Sequence, residues 1–255
     1  MIEHSPAWDP VEIVGSPAAA GPLVVTCEHA GNAIPPPLQP SQADLPWLET
    51  HWGWDIGAGE VARQVVAQTG SVGVLARFSR LVCDPNRTPD DPTFVLPRVD
   101  GHTLSFNQNL DAAELERRRQ AYYEPYHATI DRILGERRAH GGDLLLLAVH
   151  SFTPQLGEER REMELGVLFD QYVAIADRMA ALMRREGFHT ALNEPYSGFD
   201  GLMYSAQRHG NAHGVVYLEV EIRQDLLAQP GQAQAVGQRL ARAVSGLRLR
   251  RSDRH

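Results

Sequence analysis

Two histidines in this chain directly follow apolar runs that are typical of buried strands. His29 comes after "LVVTCE" and His150 after "LLLLAV", and Asp55 lies between them in "WDIGAG", just before a predicted helix. In open α/β sheets, ligand sites lie beyond the carboxyl ends of the strands. Two imidazoles and one carboxylate, with a fourth position open, form a ligand set of catalytic zinc. We therefore predict one zinc ion held by His29, Asp55 and His150. The competing hypothesis is that each histidine is an ordinary core or loop residue.

A second polar cluster follows in "RFSRLVCDPNRTP", which contains Arg80, Asp84, Asn86 and Arg87. Arginine offers a planar fork of donors that pairs with a carboxylate or stabilises a developing oxyanion. This segment is therefore a candidate for substrate recognition. Its alternative interpretation is a solvated strand edge, with ion pairs to Asp84 or Asp90.

Two glutamates interrupt the apolar segment "YLEVEIRQDLL". Glu219 and Glu221 are two residues apart, so a strand places them on the same side. A buried carboxylate is costly without a partner, and either Arg223 or a metal-bound water would supply one. An edge strand with both carboxylates in water is the alternative.

The elements that must position these residues alternate between strands and helices. Apolar runs and turn residues predict strands over 23–27, 72–77, 81–83, 144–150 and 215–222. Helical periodicity predicts helices over 56–68 and 174–183 and another after Pro230. A long helix opens at Asp111, carries Leu115 and Tyr122 on its inner face, and breaks near Pro125. The alternation indicates an α/β protein with a mostly parallel sheet, in one domain over 1–255 with its core at about 20–247.

Composition excludes several classes of function. The 255 residues carry a formal net charge of -8, which argues against a general binder of nucleic acid or of anionic membranes. No apolar run has the length of a membrane span, and no signal peptide is recognised. Two cysteines do not form a disulfide framework, so a reducing cytoplasm is expected. We expect a monomer or a small homo-oligomer that acts on a small molecule.

Six segments in this order resemble the N-formylglutamate amidohydrolase family: "EHAGN", "HWGWDIGA", "SRLVCDPNR", "AVHS", "NEPYSG" and "EIRQDL". The resemblance covers most of the chain, roughly residues 23–227. The chain is more distantly similar to zinc carboxypeptidases and aspartoacylase-type amidohydrolases. This resemblance implies a three-layer α/β/α sandwich of the zinc-exopeptidase or phosphorylase-hydrolase type, with a mostly parallel mixed central sheet.

The resemblance also implies roles for individual residues. His29 and His150 would be metal ligands, Glu221 the general base, and Asn86 with Arg87 the residues that bind substrate. The quoted segments also contain Asp84 and Arg223, which we add to the predicted substrate-binding residues, and Arg80, which we expect to stabilise the oxyanion.

One position departs from the carboxypeptidase pattern. That pattern has a glutamate three residues after its first histidine, whereas this chain has Asn32 there. Asp55 is the candidate for the missing carboxylate ligand and Glu28 the reserve. If Glu28 is not a ligand, we expect its carboxylate to contact His29 from outside the ligand set.

The expected reaction is hydrolysis of a linear amide bond in a small, carboxylate-bearing N-acyl amino acid. By resemblance the substrate is N-formyl-L-glutamate, which gives formate and L-glutamate, and another N-acyl amino acid is an alternative. A zinc carboxypeptidase, a peptide amidase and a non-catalytic ligand-binding relative are further alternatives. A serine hydrolase is disfavoured, because "VHSF" lacks the Gly-x-Ser-x-Gly motif.

Overall fold

The structure is a computed structural model that describes residues 8–19 and 21–249. Its strands are β1 (Val11–Gly15), β2 (Leu23–Cys27), β3 (Val72–Ala76), β4 (Arg98–Val99), β5 (His102–Thr103), β6 (Leu145–Phe152), β7 (Gln155–Leu156), β8 (Glu159–Arg160), β9 (Leu165–Leu168), β10 (Thr190–Leu192) and β11 (Val216–Arg223). Its α-helices are α1 (Leu45–Leu48), α2 (Ala58–Thr69), α3 (Ala112–Arg118), α4 (Glu124–Ala139), α5 (Val173–Arg185), α6 (Tyr204–His213) and α7 (Gln232–Gly246).

Seven strands form one sheet in the order β1-β3-β2-β6-β11-β9-β10. The four adjacent strands β3, β2, β6 and β11 run parallel, whereas β1 and β9 pair antiparallel with their inner neighbours. All eight residues of the central strand β6 are buried, as expected for a parallel strand that is covered on both faces. The prediction of a mixed, mostly parallel sheet is confirmed.

Helices cover both faces of the sheet, because alternate strand residues point to opposite sides. One face packs against α2, α5 and α7 through Val25, Leu147, Leu218, Val65, Met179 and Leu240. The other face packs against α4 and α6 through Val24, Leu146, Tyr217, Ile130 and Ala206. This arrangement confirms the expected three-layer α/β/α sandwich. No helix among the described residues is long and apolar enough to cross a membrane.

One predicted strand and one alternative interpretation are wrong. Residues 81–83 form turns and irregular backbone and not a strand, because the chain reverses after β3 and the Val82 amide donates to the Ser79 carbonyl at 2.9 Å. The edge-strand alternative for Glu219 and Glu221 is also wrong, since β11 lies between β6 and β9 and both glutamates are buried.

The long helix breaks where the proline predicts. A π-helical turn over Arg119–Tyr123 separates α3 from α4, and Pro125 lies in the first turn of α4, where the missing N–H of proline costs least. Asp111 caps α3 by accepting a hydrogen bond from the Glu114 amide at 2.8 Å. Leu115, expected inside, is exposed, because the wider π-turn shifts the inner face and buries Arg118 instead.

Arg118 fixes the segment that follows β3. Its buried guanidinium donates to the carbonyls of Val82 at 3.0 Å and Phe106 at 2.6 Å, and to the Asn107 side-chain oxygen at 2.6 Å. Glu114 balances its charge at 2.9 Å. Arg118 therefore joins α3 to both ends of the 82–107 segment, which contains Asp84, Asn86 and Arg87 of the second polar cluster.

Replacing Arg118 should destabilise the fold. In Arg118→Met, three buried acceptors lose a charged donor, so we expect the free energy of unfolding to fall by about 3 kcal/mol. The matched control is Arg119→Met, which removes a neighbouring, partly exposed guanidinium that pairs with Glu116 at 2.7 Å and should cost less than about 1 kcal/mol. Urea denaturation of both variants measures the difference, and equal losses would contradict the bracing role of Arg118.

Candidate active site

A cavity of about 190 Å³ opens at the carboxyl ends of the parallel strands. Its lining residues are His29, His51, Asp55, Arg80, Asn86, Arg87, His150, Ser151, Phe152, Thr153, Leu156, Tyr196, Leu202, Glu219 and Glu221. The structure thus brings together all three predicted metal ligands, both predicted catalytic residues and two of the four predicted substrate-binding residues. Their assigned roles remain predictions.

Tight local packing places His29 and Asp55 beside each other. The Asp55 amide donates to the His29 carbonyl at 3.0 Å, which links the end of β2 to the start of α2. Gly31 allows this loop to lie against the end of β3, since a Cβ atom there would lie 2.3 Å from the Arg77 carbonyl oxygen. Gly57 has a φ of +80°, which favours glycine. The glycines of "EHAGN" and "WDIGA" therefore permit the backbone conformation that places His29 beside Asp55.

His29, Asp55 and His150 form a buried cluster whose potential ligand atoms all lie within 4.8 Å of one another. Asp55 Oδ2 lies 2.8 Å from His150 Nδ1 and 3.4 Å from His29 Nδ1. His29 Nδ1 is buried and has no hydrogen-bond partner among the residues that the structure describes. Because buried polar atoms are normally satisfied, this nitrogen fits the position of a metal ligand. The three residues therefore fit a zinc ion, with the two Nδ1 atoms and the Asp55 carboxylate as donors.

The far side of each imidazole contacts a second carboxylate. His29 Nε2 lies 2.7 Å from Asp84 Oδ1, and His150 Nε2 lies 3.0 Å from Glu28 Oε2. Such outer carboxylates fix the tautomer and orientation of metal-binding histidines. Glu28 was expected beside His29. The structure places it against His150 instead, because β2 and β6 are adjacent.

The charges around this cluster support its ability to hold a cation. Burial raises the pKa of Glu28, but the hydrogen bond and charge of His150 outweigh this and lower it to about 2. Burial likewise opposes ionisation of Asp84, yet Arg80 and His29 hold its pKa well below the usual range. Burial disfavours the charged form of His150, but Glu219, Asp55 and Glu28 raise its pKa well above normal. The cluster therefore has excess negative charge, which a divalent cation would balance.

Glu219 and Glu221 lie at different depths on β11. Glu221 pairs in register with His150, whereas Glu219 pairs with Ala148, further from the cavity mouth. Glu219 Oε2 lies 3.7 Å from His150 Nε2, the nitrogen that Glu28 also contacts. Burial raises the pKa of Glu219 to about 7 and that of Glu221 well above the usual range. Because Glu219 approaches the outer nitrogen of His150, Glu221 is the better candidate for a base beside the metal.

Arg80 lies between the cluster and the cavity. Its Nη2 is 2.7 Å from Asp84 Oδ2 and its Nη1 is 3.7 Å from Asp55 Oδ1. Asp84 does not line the cavity, and its two oxygens contact His29 and Arg80. Asp84 is thus placed to orient these two residues, whereas the sequence led us to predict that it binds substrate.

The other three predicted substrate-binding residues are placed differently from one another. Arg87 lines the cavity, and its only hydrogen bond from the guanidinium within the described chain is to the Asn86 carbonyl at 2.8 Å. The Asn86 side chain contacts the Leu202 carbonyl and the Ser205 amide, so it holds two loops together. Arg223 does not line the cavity, because its guanidinium contacts Asp225 at 2.8 Å and backbone carbonyls of the segment 161–163.

Several further lining residues were not predicted from the sequence. His51 and Tyr196 lie within the quoted segments "HWGWDIGA" and "NEPYSG", which carried the only signal for them. Phe152 and Thr153 directly follow "AVHS". Position after the central strand could have indicated both of them.

The fold and the site together define an α/β protein with a His-Asp-His cluster that could hold a metal at its strand ends. The family model of N-formylglutamate amidohydrolase matches residues 21–228, so the chain belongs to this family of amidohydrolases. A gene product of Agrobacterium tumefaciens superimposes with a TM-score of 0.83 at 33% identity, over 92% of this chain and 94% of that one.

An N-formylglutamate amidohydrolase from Ralstonia eutropha has a TM-score of 0.72 at 21% identity, over 92% of this chain and 95% of that one. At this level of identity the similarity shows a common fold. A comparison with curated proteins found no match.

Removing a proposed ligand should abolish metal binding. We expect His29→Ala, Asp55→Ala and His150→Ala each to lose bound zinc, because two protein ligands leave an incomplete shell. Glu28→Gln and Asp84→Asn should retain zinc with an affinity about 10- to 100-fold lower, since each only orients a ligand. Elemental analysis and competition with a chelator measure both effects.

The control variant is Asp177→Asn on the exposed side of α5, which should bind zinc as the wild type does. Full zinc occupancy in all three alanine variants would refute the assignment of the ligands.

Proposed function

We propose that this chain is a metal-dependent amidohydrolase that cleaves the linear amide bond of a small N-acyl amino acid. One observation carries the proposal: Glu221 lines the same cavity as the His29, Asp55 and His150 cluster. A potential metal centre beside an unpaired carboxylate is the arrangement that amide hydrolysis by water requires. The family membership supports the same reaction class.

N-formyl-L-glutamate is the substrate that we propose, with formate and L-glutamate as products. The family description supports this choice. The small cavity and the Arg87 guanidinium in its wall are consistent with a compact substrate that carries a carboxylate.

The residues of this chain would divide the reaction among them. A zinc ion, when bound, supplies a Lewis acid that activates water and polarises the amide carbonyl. Glu221 would accept the proton of the attacking water and return it to the leaving nitrogen. Arg80, held by Asp84, would direct its remaining donors at the developing oxyanion. Arg87 would bind a substrate carboxylate.

Ser151 is placed unfavourably for a nucleophile. Its hydroxyl donates to the Ile56 carbonyl at 3.0 Å and accepts a hydrogen bond from the Gln224 side chain at 3.2 Å. A catalytic serine would need a general base within reach, and these contacts direct the hydroxyl to the backbone instead. The geometry therefore favours attack by water over a serine hydrolase mechanism.

The direct test is a hydrolysis screen over N-acyl amino acids and short peptides with zinc controlled. We expect N-formyl-L-glutamate to be cleaved by the zinc-loaded protein. Glu221→Gln should retain zinc and fold but lose about 10²- to 10⁴-fold in kcat, because glutamine cannot accept the proton. Measurement of formate release and zinc content for each variant separates loss of the base from loss of the metal.

Glu219→Gln is the matched comparison, since it changes the deeper carboxylate on the same face of β11. Its kcat should fall less than that of Glu221→Gln. An inactive Glu219→Gln beside an active Glu221→Gln would exchange the two roles. If the protein cleaved only peptides, its function would be that of a peptidase and not of an amidohydrolase.

Arg87 should affect substrate binding more than turnover. Lysine cannot reproduce the bidentate fork, so Arg87→Lys should raise KM for N-formyl-L-glutamate about tenfold or more with a smaller change in kcat. The same variant should leave KM nearly unchanged for the mono-amide whose blocked carboxylate is the one that Arg87 binds. Equal effects on the diacid and on both of its mono-amides would indicate that Arg87 acts on the oxyanion instead.

A further inference from the structure

Arg161 is a buried arginine beside the cavity that the sequence did not indicate. Its side chain is buried, and no carboxylate among the described residues lies within ion-pair distance of it. By contrast, the buried Arg118 pairs with Glu114, and Arg80 pairs with Asp84. A buried charge without an opposite charge is costly, so an anion from outside the chain would stabilise Arg161.

The partners of Arg161 line the cavity. Its guanidinium donates to the Thr153 carbonyl at 3.2 Å and to the Tyr196 hydroxyl oxygen at 3.2 Å. The same group lies 5.5 Å from the centre of the Phe152 ring and 5.0 Å from that of Tyr196. Burial lowers the pKa of His51, another lining residue, and the charges of Arg80 and Arg161 lower it further. The positive charge of Arg161 therefore acts on the cavity from directly behind its wall.

Hydrogen bonding also prepares Tyr196 to contact an anion. Because the Tyr196 oxygen accepts a hydrogen bond from Arg161, its own hydrogen remains to be donated elsewhere. Tyr196 lines the cavity, so this hydrogen can point to a substrate oxygen. A cationic donor to the oxygen polarises the hydroxyl and strengthens the hydrogen bond that it donates.

Arg161 and Arg87 belong to segments that adjoin different strands of the sheet. Arg87 follows β3, whereas the Arg161 carbonyl accepts a hydrogen bond from Arg223 at the end of β11. In the sheet order, β2 and β6 lie between these two strands and carry His29 and His150 at their ends. Arg87 and Arg161 therefore reach the cavity region along different strands, Arg87 after the strand next to β2 and Arg161 beside the strand next to β6.

We propose that Arg161, through Tyr196, forms a second carboxylate subsite that makes the enzyme specific for dicarboxylic N-acyl amino acids. This inference rests on the proposed function. Arg87 binds one carboxylate of the substrate, and the Arg161–Tyr196 pair binds the other. Arg161 is a positioning residue, because Tyr196 and not Arg161 contacts the substrate.

The test compares Arg161→Met with Arg160→Met, which removes an exposed arginine one residue earlier. The substrates are N-formyl-L-glutamate and its two mono-amides, at the α- and the γ-carboxylate. We expect Arg161→Met to lower kcat/KM for the diacid about 10- to 100-fold, mainly through KM. For one of the two mono-amides, kcat/KM should be nearly unchanged in Arg161→Met, because the carboxylate that the subsite binds is already blocked. The same mono-amide should still show the raised KM of Arg87→Lys. Tyr196→Phe should show the pattern of Arg161→Met, and Arg160→Met should resemble the wild type.

A binding measurement separates this proposal from the proposed function. Glutarate, a five-carbon dicarboxylate, should raise the Tm of the wild type and of Arg160→Met but not that of Arg161→Met, and butyrate should raise none of them. If the wild type cleaves no N-acyl amino acid, the proposed function fails while the glutarate result still tests the subsite. Equal losses on all three substrates, or equal protection by glutarate in all three proteins, would overturn the role of Arg161.

Discussion

The site depends on two carboxylates that fix the orientation of two imidazoles. Glu28 and Asp84 each contact the Nε2 atom of a histidine, at 3.0 Å and 2.7 Å, which leaves both Nδ1 atoms on the side of Asp55. Neighbouring strands in the sheet bring these groups together, because Glu28 directly follows β2 and His150 lies on β6. A change in strand order would therefore separate the outer carboxylate from its imidazole and leave the ligand set without a fixed geometry.

Such a concentration of buried charge needs compensation, and the fold provides only part of it. Tyr126 on α4 donates its hydroxyl to Glu28 Oε1 at 3.0 Å, and the Ser151 amide donates to Asp55 Oδ2 at 3.2 Å. The Oε2 atoms of Glu219 and Glu221 are nevertheless buried without a hydrogen-bond partner in the described part of the chain. Because unsatisfied buried carboxylates are costly, the floor of the cavity is less stable than the core around it, and a bound cation would return part of that stability.

The sequence was sufficient to predict positions that depend on a single strand or helix. An apolar run that ends in a histidine indicates a strand exit, so His29 and His150 could be placed at the same sheet edge. The sequence was not sufficient to predict contacts that depend on which strands and loops are neighbours in the fold. The pairing of Glu28 with His150 requires the order of β2 and β6, and the burial of Arg161 requires the fold of the segment after β6. No periodicity within one segment encodes either contact.

The distribution of charge around the cavity indicates how a substrate would be oriented. The floor carries Glu219 and Glu221. Arg87 lies in the wall, and Arg161 lies behind it. Neither arginine has a carboxylate partner among the described residues. The walls would therefore attract the carboxylates of an anionic substrate, whereas burial raises the pKa of both floor glutamates and so favours their uncharged forms. If both carboxylates of the substrate are held at the walls, its uncharged amide would lie over the centre. Contacts of the two carboxylates with the walls thus favour the orientation in which the amide bond, and not a carboxylate, lies beside Glu221.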